Sequence, residues 1–286
     1  MPHTIAVGVD GSAPSLVALR WALACAHTHR ADLLAVIATP PPLERSRDST
    51  RASESRNREI TDHVAEVKRA IAVTAEGVPV QVETLEGSPT EVLLAVSNRV
   101  DLLVVGGHGY RGWRRHFSTS IPGRLAIHTK AVVCVVRAIQ EPGRRRVVVG
   151  HKVETSPQAA RFAVAEAALS GSSALVVITW QYPRDTRATS PEAADILEEG
   201  ASAALAEVLD TLRSEFPGVT IDGLVRIGHP VEVLAELADS ADMVVIGSRE
   251  HRGLLGSDLA TLVVGSVAIG LLRRVQTPVI IVPTEG

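Results

Sequence analysis

The chain is built from one pattern used twice. Val147-Val148-Val149-Gly150 answers Ala6-Val7-Gly8, Phe162-Ala163 answers Trp21-Ala22, and Gly228-His229-Pro230-Val231-Glu232 answers Gly87-Ser88-Pro89-Thr90-Glu91. Asp242-Met243-Val244-Val245-Ile246-Gly247 answers the stretch from Asp101 to Gly106. The order never changes. The offset stays near 141 residues, as between Asp101 and Asp242, until a spacer that is five residues longer in the second half. A repeat of this length predicts two copies of one domain, with 1–140 as the first and 141–286 as the second. The stretch 141–146, Glu-Pro-Gly-Arg-Arg-Arg, reads as the linker between them.

Within the first copy, short aliphatic runs over 4–9, 33–38, 80–85, 101–105 and 132–136 alternate with helical patterns. The helices are predicted at about 14–29, 51–76, 89–98 and 120–128. Leu16, Leu19, Leu23 and Ala26 mark the apolar face of the first; Ile60, Val64, Val67 and Ile71 mark that of the second. Runs of Val, Ile and Leu without a polar face are the mark of parallel strands covered on both sides. The alternation therefore predicts an α/β fold: two tandem, doubly wound, five-stranded parallel sheets of Rossmann-like or flavodoxin-like type, with helices on both faces. Such sheets bind ligands at the carboxyl ends of the strands, where strand order reverses. Asp10, Ala38 and Gly106 all fall at such ends.

The chemistry concentrates after the fourth run. Val104-Val105 breaks into Gly106-Gly107-His108-Gly109, and Thr119-Ser120 follows where a helix should start. Glycine lets backbone approach a phosphate chain, and N–H groups with hydroxyls at a helix start bind anions. His108 is placed to touch a phosphate or to sit in solvent. Arg111, Arg114 and Arg115 read as a solvated face.

Other classes lack support. Net charge is −3 and aromatics are 3% of residues, which argues against nucleic acid as a partner. No apolar run approaches the ~18 residues of a membrane span. Cys25 and Cys134 read as small core residues, and no Cys/His set has zinc spacing. There is no nucleophile elbow and no Gly-Lys-Ser/Thr phosphate loop. His27, His29 and His128 suit helix ends. With no export signal evident, the expected compartment is the cytoplasm.

The chain resembles the universal stress protein family in its tandem form. The residues that carry this are Val7-Gly8-Val9-Asp10-Gly11-Ser12, Trp21-Ala22-Leu23-Ala24, Glu86-Gly87-Ser88-Pro89, Asp101 to Gly106, Gly265-Ser266-Val267 and Thr277-Pro278-Val279. The family's nucleotide motif is Gly, two residues, Gly, nine residues, Gly and then Ser or Thr. Gly106, Gly109, Thr119 and Ser120 match that spacing, with Thr119 in place of the third glycine and Pro122 in place of a small hydroxyl residue. The resemblance implies ATP, with or without Mg²⁺, held by Val9, Asp10, Gly11, Ala38, Gly106, His108, Gly109, Thr119, Ser120 and Ile121. It further implies a regulatory module acting in stress adaptation on a protein partner the residues do not name, and fifth strands pairing within the chain as a pseudo-dimer, with or without a homodimer beyond it. A slow ATPase and a scaffold that binds no nucleotide stay open as alternatives. The second copy departs more: Lys152 stands where Asp10 would repeat, and Glu250 where Gly109 would, so its site is expected to be weak or lost.

Overall fold

The computed structural model describes residues 3–40, 50–107, 125, 129–138, 145–153, 157–180, 191–248 and 266–283. It divides into two units, Pro2–Ile139 and Gln140–Gly286 with Met1.

In the first unit, β1 (Thr4–Gly8), β2 (Asp32–Thr39), β3 (Gln81–Glu86), β4 (Leu102–Gly106) and β5 (Val132–Val136) form a parallel sheet in the order β3-β2-β1-β4-β5. The chain winds from β1 outward through β2 to β3, then crosses back and continues through β4 to β5. The reversal falls between β1 and β4. Its described helices are α1 (Ala13–His29), α2 (Thr50–Ala75) and α3 (Pro89–Ser97); the helix expected at about 120–128 lies outside the described residues but for Leu125. A side chain on Gly8 would meet Leu93 of α3, whereas one on Gly106 would meet Pro14 and Ser15 of α1. Register aligns Val7 with Val104, so Gly8 and Gly106 point to opposite faces. Helices thus cover both sides, and this is why Ile5, Ala6, Val7, Leu102, Leu103 and Val104 are all buried and all apolar.

The second unit repeats the plan. Its strands are β6 (Arg146–His151), β7 (Ser173–Trp180), β8 (Ile221–Ile227), β9 (Met243–Ser248) and β10 (Val279–Pro283), in the order β8-β7-β6-β9-β10. Its helices are α4 (Gln158–Ser170), α5 (Pro191–Glu215), α6 (Pro230–Ala238) and α7 (Ser266–Arg274). A device recurs in both copies. Asp101 accepts hydrogen bonds from the backbone N–H of His3 and Thr4, at 2.8 and 3.0 Å, and Asp242 accepts from that of Arg146 at 3.0 Å. Each aspartate ties the start of its unit's first strand to the strand that follows the reversal.

Three expectations need adjustment. The buried face of α1 is Ser15, Ala18, Leu19, Ala22 and Ala26, with Leu16 and Leu23 only half-buried. Small residues at its centre let the helix lie close on the sheet. Arg146, assigned to the linker, opens β6. Cys134 is buried, but Cys25 is only half-buried.

Candidate functional site

Five of the residues expected at the site, Val9, Asp10, Gly11, Ala38 and Gly106, lie at or just beyond the carboxyl ends of β1, β2 and β4. His108, Gly109, Thr119, Ser120 and Ile121 lie outside the described residues, as do Arg111, Arg114, Arg115 and Glu250.

The ladder between β1 and β2 runs one residue past Gly8: Val9 N–H donates to the Val36 carbonyl at 2.9 Å, and Val9 is buried. The chain then leaves the sheet. Asp10 is exposed, and its Oδ1 accepts from the Ser12 N–H at 3.0 Å and the Ser12 hydroxyl at 2.6 Å. Both bonds fall on Oδ1 and neither uses Oδ2. Ser12 is also the N-cap of α1, accepting from the Ser15 N–H at 3.4 Å. The Ser15 hydroxyl closes the network: it accepts from the Asp10 N–H at 3.3 Å and donates to the Ser12 carbonyl at 2.9 Å. Partial burial by itself raises the Asp10 pKa, but the bonds from Ser12 and Ser15 together outweigh it and hold the carboxyl below its ordinary value. The result is an oriented, ionised carboxylate at the strand reversal. Gly11 turns the chain with a φ of +79°, in the left-handed region that glycine favours, over Val67 of α2.

Ala38 sits near the end of β2 in register with Leu85, half-buried, and the Gly87 N–H bonds to the next carbonyl, that of Thr39, at 2.8 Å. Gly106 has a structural reason to be glycine besides any ligand. A Cβ there would lie 2.6 Å from the Pro14 carbonyl carbon and oxygen and 2.9 Å from the Ser15 nitrogen. The first turn of α1 therefore packs directly on the end of β4.

Sequence reasoning missed Ser12 and Ser15, although an aspartate followed by serines at +2 and +5 is a turn-and-cap pattern. It also missed Arg137, whose stem fills the place of a side chain on Gly107. In the second unit the matching edge carries different chemistry. Buried His151 succeeds Gly150, and exposed Lys152 follows where Asp10 stands in the first. Burial pushes the His151 imidazole below its ordinary pKa. Among the described residues no group of three or more His, Cys, Asp or Glu could hold a metal ion. No described helix is long and apolar enough to cross a membrane.

A doubly wound parallel sheet repeated in tandem, with Asp10 at the reversal of the first copy, defines a class of α/β protein. The model of the universal stress protein family matches residues 1–137 and 143–283, and the chain belongs to that family. It is 29% identical over 304 residues to the universal stress protein Rv1996 of Mycobacterium tuberculosis strain H37Rv, spanning 97% of this chain and 94% of the relative. It is 26% identical over 292 residues to Rv2005c of the same organism, spanning 98% and 96%. Among solved structures, a universal stress protein from Archaeoglobus fulgidus superposes with a TM-score of 0.68 at 14% identity, over 98% of this chain and 96% of that one. At that identity the likeness is one of fold.

Proposed function

We propose that this protein is a nucleotide-responsive regulatory module that binds ATP in its first domain, residues 1–140, at the reversal between β1 and β4. The observation that carries this reading is the Asp10 carboxylate, oriented by Ser12 and left with Oδ2 for a ligand. An ionised acceptor there suits the donors of a nucleoside, its ribose hydroxyls or the exocyclic amino group of adenine. The spacing of Gly106, Gly109, Thr119 and Ser120 supports a phosphate cradle on the next strand, in which backbone N–H groups and hydroxyls would meet phosphate oxygens. His108 and Ile121 would line it, Val9 and Gly11 would flank Asp10, and Ala38 would meet the base through its backbone. Mg²⁺, if carried in with the triphosphate, would supply charge neutralisation. The second domain, 141–286, presents Lys152 in place of the carboxylate and is assigned no ATP.

The test is the nucleotide content of protein purified without added ATP, with binding of added Mg-ATP measured alongside. The expected result is one ATP per chain, lost in Asp10→Ala. Two per chain would assign a working site to the second domain as well. Release of ADP that disappears in Asp10→Ala would favour slow hydrolysis instead. A chain that neither carries nor binds ATP overturns the reading and leaves the scaffold.

A further inference from the structure

Resting on that reading, we propose that Arg137 is a specificity-determining residue of the first crevice, supplying the cation that meets the phosphate end of the nucleotide. β5 lies beside β4, with Val136 in register with Gly106 and the Gly107 N–H bonded to the Val136 carbonyl at 2.8 Å. Arg137 is the next residue, at the carboxyl edge. Gly106 points toward the first turn of α1, so Gly107 and Arg137 point to the other face, that of α3.

The two residues are fitted to each other. A Cβ on Gly107 would stand 2.6 Å from Arg137 Cγ, 3.4 Å from Arg137 Cδ and 3.1 Å from Val135 Cγ1. The arginine stem thus runs across the end of β4, through space open only because residue 107 has no side chain. β4 lies between β5 and β1, and neighbouring strands are spaced by ~4.8 Å, so the base of Arg137 is about 10 Å from the end of β1, where Asp10 stands. The carboxyl edge is polarised in its residues: Asp10 beyond β1, Arg137 beyond β5, and Gly106 and Gly107 between. A nucleotide is polarised in the matching sense, with donors on its base and ribose and acceptors on its phosphates. Partial burial lowers the Arg137 pKa, yet guanidinium stays protonated at neutral pH, and reduced solvation strengthens its attraction for a phosphate.

The repeat supplies an independent observation. In the second unit the positions matching Gly107 and Arg137 are Ser248 and Pro283, again in register on neighbouring strands. Glycine and arginine are both replaced there. The cation and the space made for it go together, in the copy whose first strand also ends in Asp10 rather than Lys152.

The test titrates the full chain calorimetrically with ATP and, separately, with adenosine, for the wild type, Arg137→Gln and Arg137→Lys. Arg137→Gln should weaken ATP binding by about tenfold or more, the loss expected for one charged hydrogen-bonded contact, and leave adenosine within about twofold. Its ATP affinity should also depend less steeply on salt, and Arg137→Lys should recover part of the loss. Wild-type ATP affinity in Arg137→Gln overturns the proposal, and so does a parallel loss of ATP and adenosine, which would mark a purely structural role. If the wild type binds neither compound, the nucleotide reading itself fails and the role of Arg137 falls with it. If the wild type binds both and Arg137→Gln binds both equally well, the nucleotide reading stands without Arg137.

Discussion

Gly106 and Gly107 are adjacent, and each is glycine for a different neighbour. At Gly106 the obstacle is backbone of α1, which cannot swing aside; at Gly107 it is the stem of a flexible arginine. Gly106→Ala should therefore cost ~1–3 kcal/mol, read as a lower urea midpoint with an unchanged slope, and Gly107→Ala should cost less. Asp101 permits a second test at this scale. Burial alone raises its pKa, but the N–H groups of His3 and Thr4 pull it down further, to a net value below the ordinary one. A carboxyl whose folded pKa is depressed stabilises fully above its unfolded value of 3.8 and loses that contribution as pH falls through the folded value. Acid should thus destabilise the wild type below about pH 4 more steeply than Asp101→Asn, which keeps an acceptor but cannot titrate. Unfolding midpoints measured from neutral pH downward in both proteins check this.

At the scale of elements, the two copies cap corresponding helices differently. Ser88 opens α3 with a reciprocal box: its hydroxyl accepts from the Glu91 N–H at 3.3 Å, and the Ser88 N–H donates to Glu91 Oε2 at 3.3 Å. Ser88→Ala should cost about 1 kcal/mol by thermal or urea unfolding. In the second copy His229 takes the cap of α6, its Nδ1 accepting from the Val231 N–H at 3.3 Å, and Glu232 holds the place of Glu91. Glu232 faces Arg274 at 3.7 Å on the surface, a weak tie that leaves it available. His229→Ser should rebuild the box and raise stability by several tenths of a kcal/mol, visible as a higher unfolding midpoint. The reversal between β1 and β4 belongs to this scale too: it brings Asp10, the first turn of α1 and Gly106 to one place.

For the whole molecule the consequence is asymmetry between two like halves. ATP that binds one folded unit stabilises that unit by mass action, by ~2.7 kcal/mol at a hundredfold excess over its dissociation constant. Hydrogen exchange with and without Mg-ATP should then show added protection within residues 3–138 and none within 145–283. Protection in both spans would assign nucleotide to the second crevice despite Lys152. Much of this plan is legible in the chain. The run 132–136 is found as β5 with the same limits, and strands alternate with helices as expected from β1 to β4, because strands buried on both faces must be apolar throughout; the helix expected at about 120–128 lies outside the described residues but for Leu125. The face of α1 was harder to read: its leucines stand out in the sequence, but closeness to the sheet selects Ala18 and Ala22 for the centre.

By itself the sequence determined the duplication, the parallel α/β class, the family and the placing of Asp10 and Gly106 at strand ends. Those features are local or periodic, and burial writes them into residue types. Only the tertiary structure decided that Ser12 and Ser15 orient Asp10, that the first turn of α1 holds Gly106 to glycine, and that Arg137 lies across Gly107. Each of these depends on which strands and helices become neighbours and which way their side chains face. That is settled by packing the elements together, and no stretch of the chain carries it alone.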